Sequence, residues 1–331
     1  MRKVFFLLPL LLLVSVLIAC GGSKARQSNS MDLTEEKVIV PQFNADSAYS
    51  FIEKQVSFGP RVPNTAGHKA CGNYLEAKLK EFGASVTTQE VDLTAFDGTL
   101  LAAKNIIGSF QPEKKKRVAL FAHWDTRPWS DNDPDERNHY TPVMGANDGA
   151  SGVGVLLELA RLIQQDQPMI GIDIIFFDAE DYGAPQFYTG PHKEEFWGLG
   201  SQYWAKNPHS DNYNARFGIL LDMVGDKEAQ FYYERYAHEY AKSINTKVWN
   251  KAHRLGFQRF FIKELGSYIT DDHLFVNKIA RIPTINIIHN NIHHTGFAES
   301  WHTVKDTMEN IDKNTLLAVG QTVLEVIYNE K

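Results

Sequence analysis

Side chains able to hold a metal or move a proton fall in five short clusters: His123-Trp124-Asp125, Asn147-Asp148-Gly149, Asp178-Ala179-Glu180-Asp181, Asp222 and Trp301-His302-Thr303. His123, Asp178 and Asp222 stand at the ends of short apolar runs, Asp148 shortly precedes a helical pattern, and His302 follows the last apolar run by a loop. Nitrogen and oxygen ligands together suit zinc, and catalytic zinc takes three protein ligands while keeping a position open. Singly, such residues are ambiguous, because helix caps and turns use Asp and Asn in the same places. For Asp148, near a helix start, capping and ligation stand even. Placement of all five at successive strand ends favours metal chemistry, since open parallel sheets bind ligands beyond the carboxyl ends of their strands.

Asp178-Ala179-Glu180-Asp181 is the most informative cluster. Adjacent acids on a loop point in different directions, so one can bind a metal while its neighbour faces a substrate and shuttles protons. The preceding run, Ile170 to Phe177, reads as a buried strand that delivers the loop to the sheet edge. The other histidines offer less. His289, His293 and His294 lie near Asn290 and Asn291, in a context that suits a polar segment flanking a substrate. His68, His139, His192, His209, His238 and His253 lack partner spacing and read as surface or satisfied core residues.

The elements that must position these groups alternate between strand and helix. Helices are expected from Asp46 or Ser47 to about Val56, and from Thr65 to Phe82 before a stop at Gly83. Val86 to Phe96 and Leu101 to Phe110 form a hairpin about Asp97-Gly98. Val118 to Ala122, Ile170 to Phe177, Phe217 to Met223 and Ile282 to Ile288 are buried strands. Helices lie between them near Gly152 to Ile163, Gly198 to Ala205 and Tyr236 to Arg254, and a last one spans Asn314 to Tyr328. This order implies a single α/β domain with a mostly parallel central sheet flanked by helices on both faces. Lys114 to Arg117 reads as a solvated basic turn.

The 331 residues are 43% hydrophobic and 22% charged with a formal charge of -6, ordinary for a globular enzyme and without the basic footprint of a nucleic-acid binder. Met1-Arg2-Lys3, an apolar run from Val4 to Ala19 and Cys20-Gly21-Gly22 form a signal-peptide pattern, too short and Pro9-interrupted for a membrane span. Leu17-Ile18-Ala19-Cys20 resembles a bacterial lipoprotein lipobox. Residues 1–19 are thus expected to be a lipoprotein signal peptide, 20–43 a flexible tether from a lipid on Cys20, and 44–331 the catalytic domain. That places the protein outside the cytoplasm, on a bacterial membrane facing the periplasm or cell surface. Cys71 would then be the one thiol of the body, so no intrachain disulfide is available, and its apolar-periodic setting suits a buried structural thiol.

Several segments in order resemble the zinc aminopeptidase family that includes the glutaminyl-peptide cyclotransferases. They are Phe58-Gly59-Pro60-Arg61-Val62-Pro63-Asn64-Thr65-Ala66-Gly67-His68, His123-x-Asp125, Gly145-Ala146-Asn147-Asp148-Gly149-Ala150-Ser151-Gly152, Glu180-Asp181, Leu199-Gly200-Ser201, Leu221-Asp222 and His302-Thr303. The resemblance covers Ser47 to Ile327. It implies that Asp148, Asp181 and His302 hold one zinc and that Glu180 is the general acid/base. His123 and Asp222 fall where two-zinc aminopeptidases hold a second ion. Ser267-Tyr268-Ile269-Thr270-Asp271-Asp272-His273 is similar to a cyclase segment whose first Asp, here Asp271, joins a proton network with Asp222. Trp301 falls where an indole walls the pocket for an N-terminal glutamine. The chain departs at three points: Asp181 replaces a common Glu, no Trp follows it within a few residues, and Asn286 stands where animal cyclases have a His.

The implied activity is cyclisation of N-terminal glutamine of peptides or proteins to pyroglutamate with release of ammonia. The alternative is a two-zinc aminopeptidase, with His123 and Asp222 as added ligands. A catalytically silent binding domain ranks last, because no ligand is missing.

Overall fold

A computed structural model describes residues 38–294 and 296–331, which form one compact unit. The signal peptide, Cys20 and most of the expected tether lie outside the described residues. Residues 38–43 do not behave as a tether. Val38 and Val40 pack against the core, Phe43 is buried, and its N–H donates to Gln321 Oε1 at 2.8 Å. The folded body therefore takes in six residues assigned to the tether, because their alternating apolar side chains have a surface to cover. Among the described residues no helix is long and apolar enough to cross a membrane.

α1 spans Ala45–Val56 and is capped by Asn44, whose side chain accepts from Ser47 N–H, rather than by Asp46 or Ser47. α2 spans Ala66–Glu81 and has the expected Thr65 cap, accepting from His68 N–H. The hairpin forms as β1, Ser85–Thr94, and β2, Leu100–Phe110. β3 (Arg117–His123), β4 (Gly171–Phe177), β5 (Gly218–Asp222) and β8 (Thr284–Ile288) are buried along their whole length. They join the hairpin in one sheet of order β1-β2-β4-β3-β5-β8, in which β4, β3, β5 and β8 run parallel and the hairpin antiparallel.

Burial on both faces requires cover on both faces, and the side chains of β3 show it. Val118, Leu120 and Ala122 enter the larger core with α1, α2, α3 (Ala150–Gln165), α5 (Arg235–Arg254) and α7 (Lys313–Tyr328). Ala119 and Phe121 point the other way, into a smaller core closed by Trp204 of α4 (Leu199–Lys206) and by Val276, next to α6 (Asp272–Phe275). Gly152 of α3 lets the helix touch the sheet: a Cβ there would lie 2.2 Å from the Leu221 carbonyl oxygen.

Two features were not legible as such. A separate parallel pair, β6 (Phe231–Tyr233) and β7 (Phe261–Leu265), is too short to show a period. Arg117 is no solvated turn residue; it is buried in β3, and its Nε and Nη2 each donate to Asp173 at 2.6 Å. A carboxylate on the neighbouring strand β4 makes burial of that guanidinium tolerable.

Candidate metal centre and active site

The parallel strands bring the clusters to one edge. β3 ends in His123, β4 leads into Asp178 to Asp181, β5 ends in Asp222, and the segment after β8 returns His302. Asp148 comes from the start of α3, and the structure decides between its two readings. The cap position belongs to Gly149, with no side-chain cap hydrogen bond, so Asp148 is not spent on the helix. Gly149 has φ 92°, and a Cβ there would meet the Asp125 carbonyl oxygen at 2.8 Å and the His123 ring at 3.2 Å. Glycine thus lets the Asp148 loop press against the end of β3.

Two buried triads result, His123-Asp148-Asp222 and Asp148-Asp181-His302, each with its ligand atoms within 4.8 Å of one another. In the second, His302 Nε2 lies 3.2 Å from Asp181 Oδ1 and 3.4 Å from Asp148 Oδ2. Asp181 Oδ1 has only the His302 ion pair and Arg127 Nη1 at 3.5 Å, and Oδ2 is buried with no partner, a costly arrangement for a carboxylate unless a cation completes it. Burial, with Asp148 adding to it, raises the Asp181 pKa; Asp148 is itself held low by His123 and His302 against its own burial. Two carboxylates and one imidazole, with an orphaned oxygen among them, fit zinc. The missing methylene of Asp181 is made up by its loop. Asp125 accepts Glu180 N–H at 3.0 Å and Asp181 N–H at 3.2 Å, while Ala179 takes a left-handed φ of 52°.

Behind this triad stands a layer that sequence reasoning missed. His302 Nδ1 faces Asp131 Oδ1 at 3.6 Å, and Arg127 grips both oxygens of Asp131 at 2.7 Å. Arg127 also donates to the Asp181 carbonyl at 3.1 Å. At 3.6 Å the Asp131 contact is an ion pair and not a hydrogen bond, with the carboxylate set behind the imidazole. Asp306 accepts Asn147 and Asp148 N–H at 2.7 and 2.9 Å, and burial beside Asp148 pushes its pKa up to about 7. Asp178, buried with a raised pKa, accepts Lys104 N–H at 2.6 Å and meets His68 Nε2 at 2.9 Å. His68 is thus a satisfied core histidine, as expected, with a loop to hold. Charged residues that act on backbone or through other side chains carry no spacing signature. Their one sequence signal is density: Arg127, Asp131 and Asp133 follow His123 and Asp125 within ten residues.

The other triad contains a formed hydrogen bond, His123 Nε2 to Asp222 Oδ1 at 3.2 Å, with Asp148 Oδ1 at 3.1 Å. Burial and Asp271 push the Asp222 pKa up to about 7, while His123, despite burial, is raised well above its usual value by Asp125, Asp148 and Asp222. Beyond Asp222 runs a buried chain. Asn286 Nδ2 donates to Asp271 Oδ2 at 2.6 Å and lies 3.3 Å from His273 Nδ1, and His273 Nε2 meets Glu234 Oε2 at 2.8 Å. Asn286, in place of a His, keeps this chain continuous.

A cavity of about 350 Å³ opens over both triads, lined by Glu180, Asp271, Trp197, Trp301, Phe297 and Tyr268 among others. Burial holds Glu180 well above the usual carboxylate range, with Asp271, Asp272 and Asp181 adding to the effect and His123 opposing it. Trp301 stacks on the His302 ring, centroids 3.8 Å apart, and is half-buried in the cavity wall rather than in the core. Trp197 answers the second departure: it arrives from just before α4, stacks with His302 at 6.3 Å and carries the Arg127 guanidinium at 4.9 Å. His289, His293 and His294 do not line this cavity; His293 is exposed and faces Glu264 at 3.1 Å. Cys71 is buried, and burial pushes its thiol up to about 12, as an inert core residue requires.

The sequence pattern of peptidase family M28 matches residues 105–327, from within β2 to the last turn of α7. The chain belongs to peptidase family M28. Its backbone superposes on that of Bacteroides thetaiotaomicron glutaminyl cyclase bound to N-acetylhistamine, at 67% identity and a TM-score of 0.88, over 88% of this chain and 100% of that one. It superposes equally on a leucine aminopeptidase precursor from Bacteroides thetaiotaomicron, at 66% identity and a TM-score of 0.87, over 89% and 100%. Aminopeptidase YwaD of Bacillus subtilis is 28% identical over 82% of this chain, which spans 54% of that protein. The chain covers 40% of YfbL of Escherichia coli, so it spans about half the length of these two curated relatives. Proteins named as cyclases and as aminopeptidases are thus both similar to this chain.

Proposed function

We propose that the protein is a zinc-dependent glutaminyl-peptide cyclotransferase acting on N-terminal glutamine of peptides or proteins. The observation that carries the reading is the buried Asp148-Asp181-His302 triad on the floor of a cavity that Glu180, Asp271, Trp197 and Trp301 also line. Similarity to a glutaminyl cyclase at 67% identity supports it.

Asp148, Asp181 and His302 would hold one zinc, which supplies a Lewis acid for the γ-carbonyl of the glutamine. Glu180, its pKa raised by burial, takes a proton from the α-amine as the amine nitrogen bonds to the γ-carbonyl carbon. The bond from that carbon to the amide nitrogen then breaks, and Glu180 returns the proton to the departing ammonia. Asp222 and Asp271 share the buried charge beside Glu180, and the Asn286-His273-Glu234 chain fixes Asp271. Trp301 and Trp197 wall the pocket and exclude water that would favour hydrolysis.

The rival reading, a two-zinc aminopeptidase, would draw on His123 and Asp222 as well. Incubating the purified protein with a glutaminyl peptide and with an aminoacyl anilide decides between them. Ammonia release without anilide cleavage is expected; anilide cleavage without ammonia release sinks the cyclase reading.

Export and anchoring through a lipid on Cys20 belong to the same proposal, supported by Leu17-Ile18-Ala19-Cys20 after the apolar run. Cys20→Ala is expected to move the protein from the membrane fraction to the soluble one; no change would refute the anchor.

A further inference from the structure

The cavity has a buried floor and one exposed lip. Asp148, Glu180, Asp181, Asp222, Asp271 and His302 are all at least nine-tenths buried, whereas Ser267 and Tyr268 are the exposed residues of its lining. A glutamine with its γ-carbonyl at the zinc triad and its amine at Glu180 has both reacting ends on that floor. Its carboxyl side, which carries the rest of the peptide, must leave towards solvent, and Tyr268 is the large exposed side chain of the lining that it can meet there.

Tyr268 is 52% exposed yet held on three sides from α5. Its ring packs on Tyr236 with centroids 4.7 Å apart, the Arg235 guanidinium sits 5.6 Å from its centroid, and its hydroxyl donates to Glu239 Oε1 at 2.6 Å. The hydroxyl is thereby committed to a partner, and the ring, packed on Tyr236 and Arg235, stays partly exposed at the lip. A large aromatic kept exposed and fixed is the kind of group that gives contact area at little entropic cost.

We propose that Tyr268 is a binding subsite for the residue that follows the N-terminal glutamine, selecting an aromatic or large apolar side chain there. This rests on the cyclase reading. Tyr268 touches no reacting atom in this account, so it acts on substrate binding, expressed in KM, and not on kcat.

The test compares two peptide amides, Gln-Phe and Gln-Gly, with the zinc-loaded protein and with Tyr268→Ala and Tyr268→Phe. Wild type is expected to favour Gln-Phe, and Tyr268→Ala to raise the KM of Gln-Phe about three- to tenfold, the scale of one aromatic contact, with a smaller change for Gln-Gly. Tyr268→Phe keeps the ring and is expected to keep the preference. If Tyr268→Ala still cyclises and retains the Gln-Phe preference, the subsite is overturned and the cyclase reading stands. If wild type releases ammonia from neither peptide, the cyclase reading itself falls, and the subsite with it.

Discussion

Asp148 belongs to two triads of nearly the same composition, yet their surroundings differ. On the Asp181-His302 side the partners are held from behind: Asp125 grips the loop backbone, and Asp131 and Arg127 face His302 and Asp181, while Asp181 Oδ2 is left without a partner. On the His123-Asp222 side the ligand atoms are committed to each other, and Asp222 backs onto another acid, Asp271. We propose that the outside support marks the Asp181 side as the preorganised metal site, and that the acids gathered around Asp222 form a charge relay. On that proposal the same residue types, two strands apart, are divided between binding a cation and managing protons.

The comparison can be broken at several points. The largest effect is expected from Glu180→Gln, which lies between the triads. It should retain zinc, measured by metal analysis, while kcat falls about 10²- to 10⁴-fold, the usual worth of a positioned acid/base. A variant with full activity would remove Glu180 from the chemistry. Chelation comes next. Stripping zinc should abolish turnover and cost about 4 kcal/mol in denaturant melts, relative to protein at zinc near a thousand times its Kd.

The supporting layer gives the sharper contrast. Asp131→Asn should weaken zinc binding about 10- to 100-fold in competition titrations, as loss of a carboxylate behind a histidine ligand does. Asp222→Asn should leave zinc affinity near wild type and lower kcat instead. Equal losses of affinity in both variants would erase the distinction drawn between the triads.

The smallest effect is on stability against pH. Burial raises the pKa values of Asp222 and Asp306 to about 7 and also lifts Asp181, Glu180, Asp271 and Asp272. In the unfolded chain these groups titrate near about 4. Between those limits these groups hold more protons in the metal-free folded state than in the unfolded one, so they make stability fall as pH rises from about 4 to about 7, opposed by His209, His238 and His289, whose values burial lowers. His123 and His302, also raised, extend the same slope above about 6.5. Asp148, lowered, contributes only below about 4. Zinc favours the deprotonated ligands, so the gap between zinc-loaded and metal-free protein should widen with pH in thermal melts. A gap that narrows would contradict the charge assignment of the floor.

What could be read from the sequence follows from what leaves a periodic trace. His123, Glu180, Asp181 and Asp222 were visible because buried strands announce their ends and a parallel sheet puts those ends together, whereas Asp148 and His302, away from strand ends, were singled out as ligands by the family resemblance. Asp131, Arg127 and Asp306 were not, because a residue that serves another side chain or a backbone N–H is bound by no spacing. Trp197 was hidden for a related reason: a pocket wall needs a ring at a place in space, and the chain between Asp181 and α4 supplies it 16 residues after the loop it faces. Arg117 looked solvated because its partner Asp173 lies on the next strand, a pairing no local pattern reveals.

The central claim is that only the Asp148-Asp181-His302 triad holds a functional zinc. Metal titration of the stripped protein, with glutaminyl-peptide turnover followed at each addition, tests it most directly. Activity is predicted to rise linearly and saturate at one zinc per chain, with the same endpoint in His123→Ala if that variant retains any turnover. Activity that requires a second equivalent, lost together with the second binding step in His123→Ala, would contradict it.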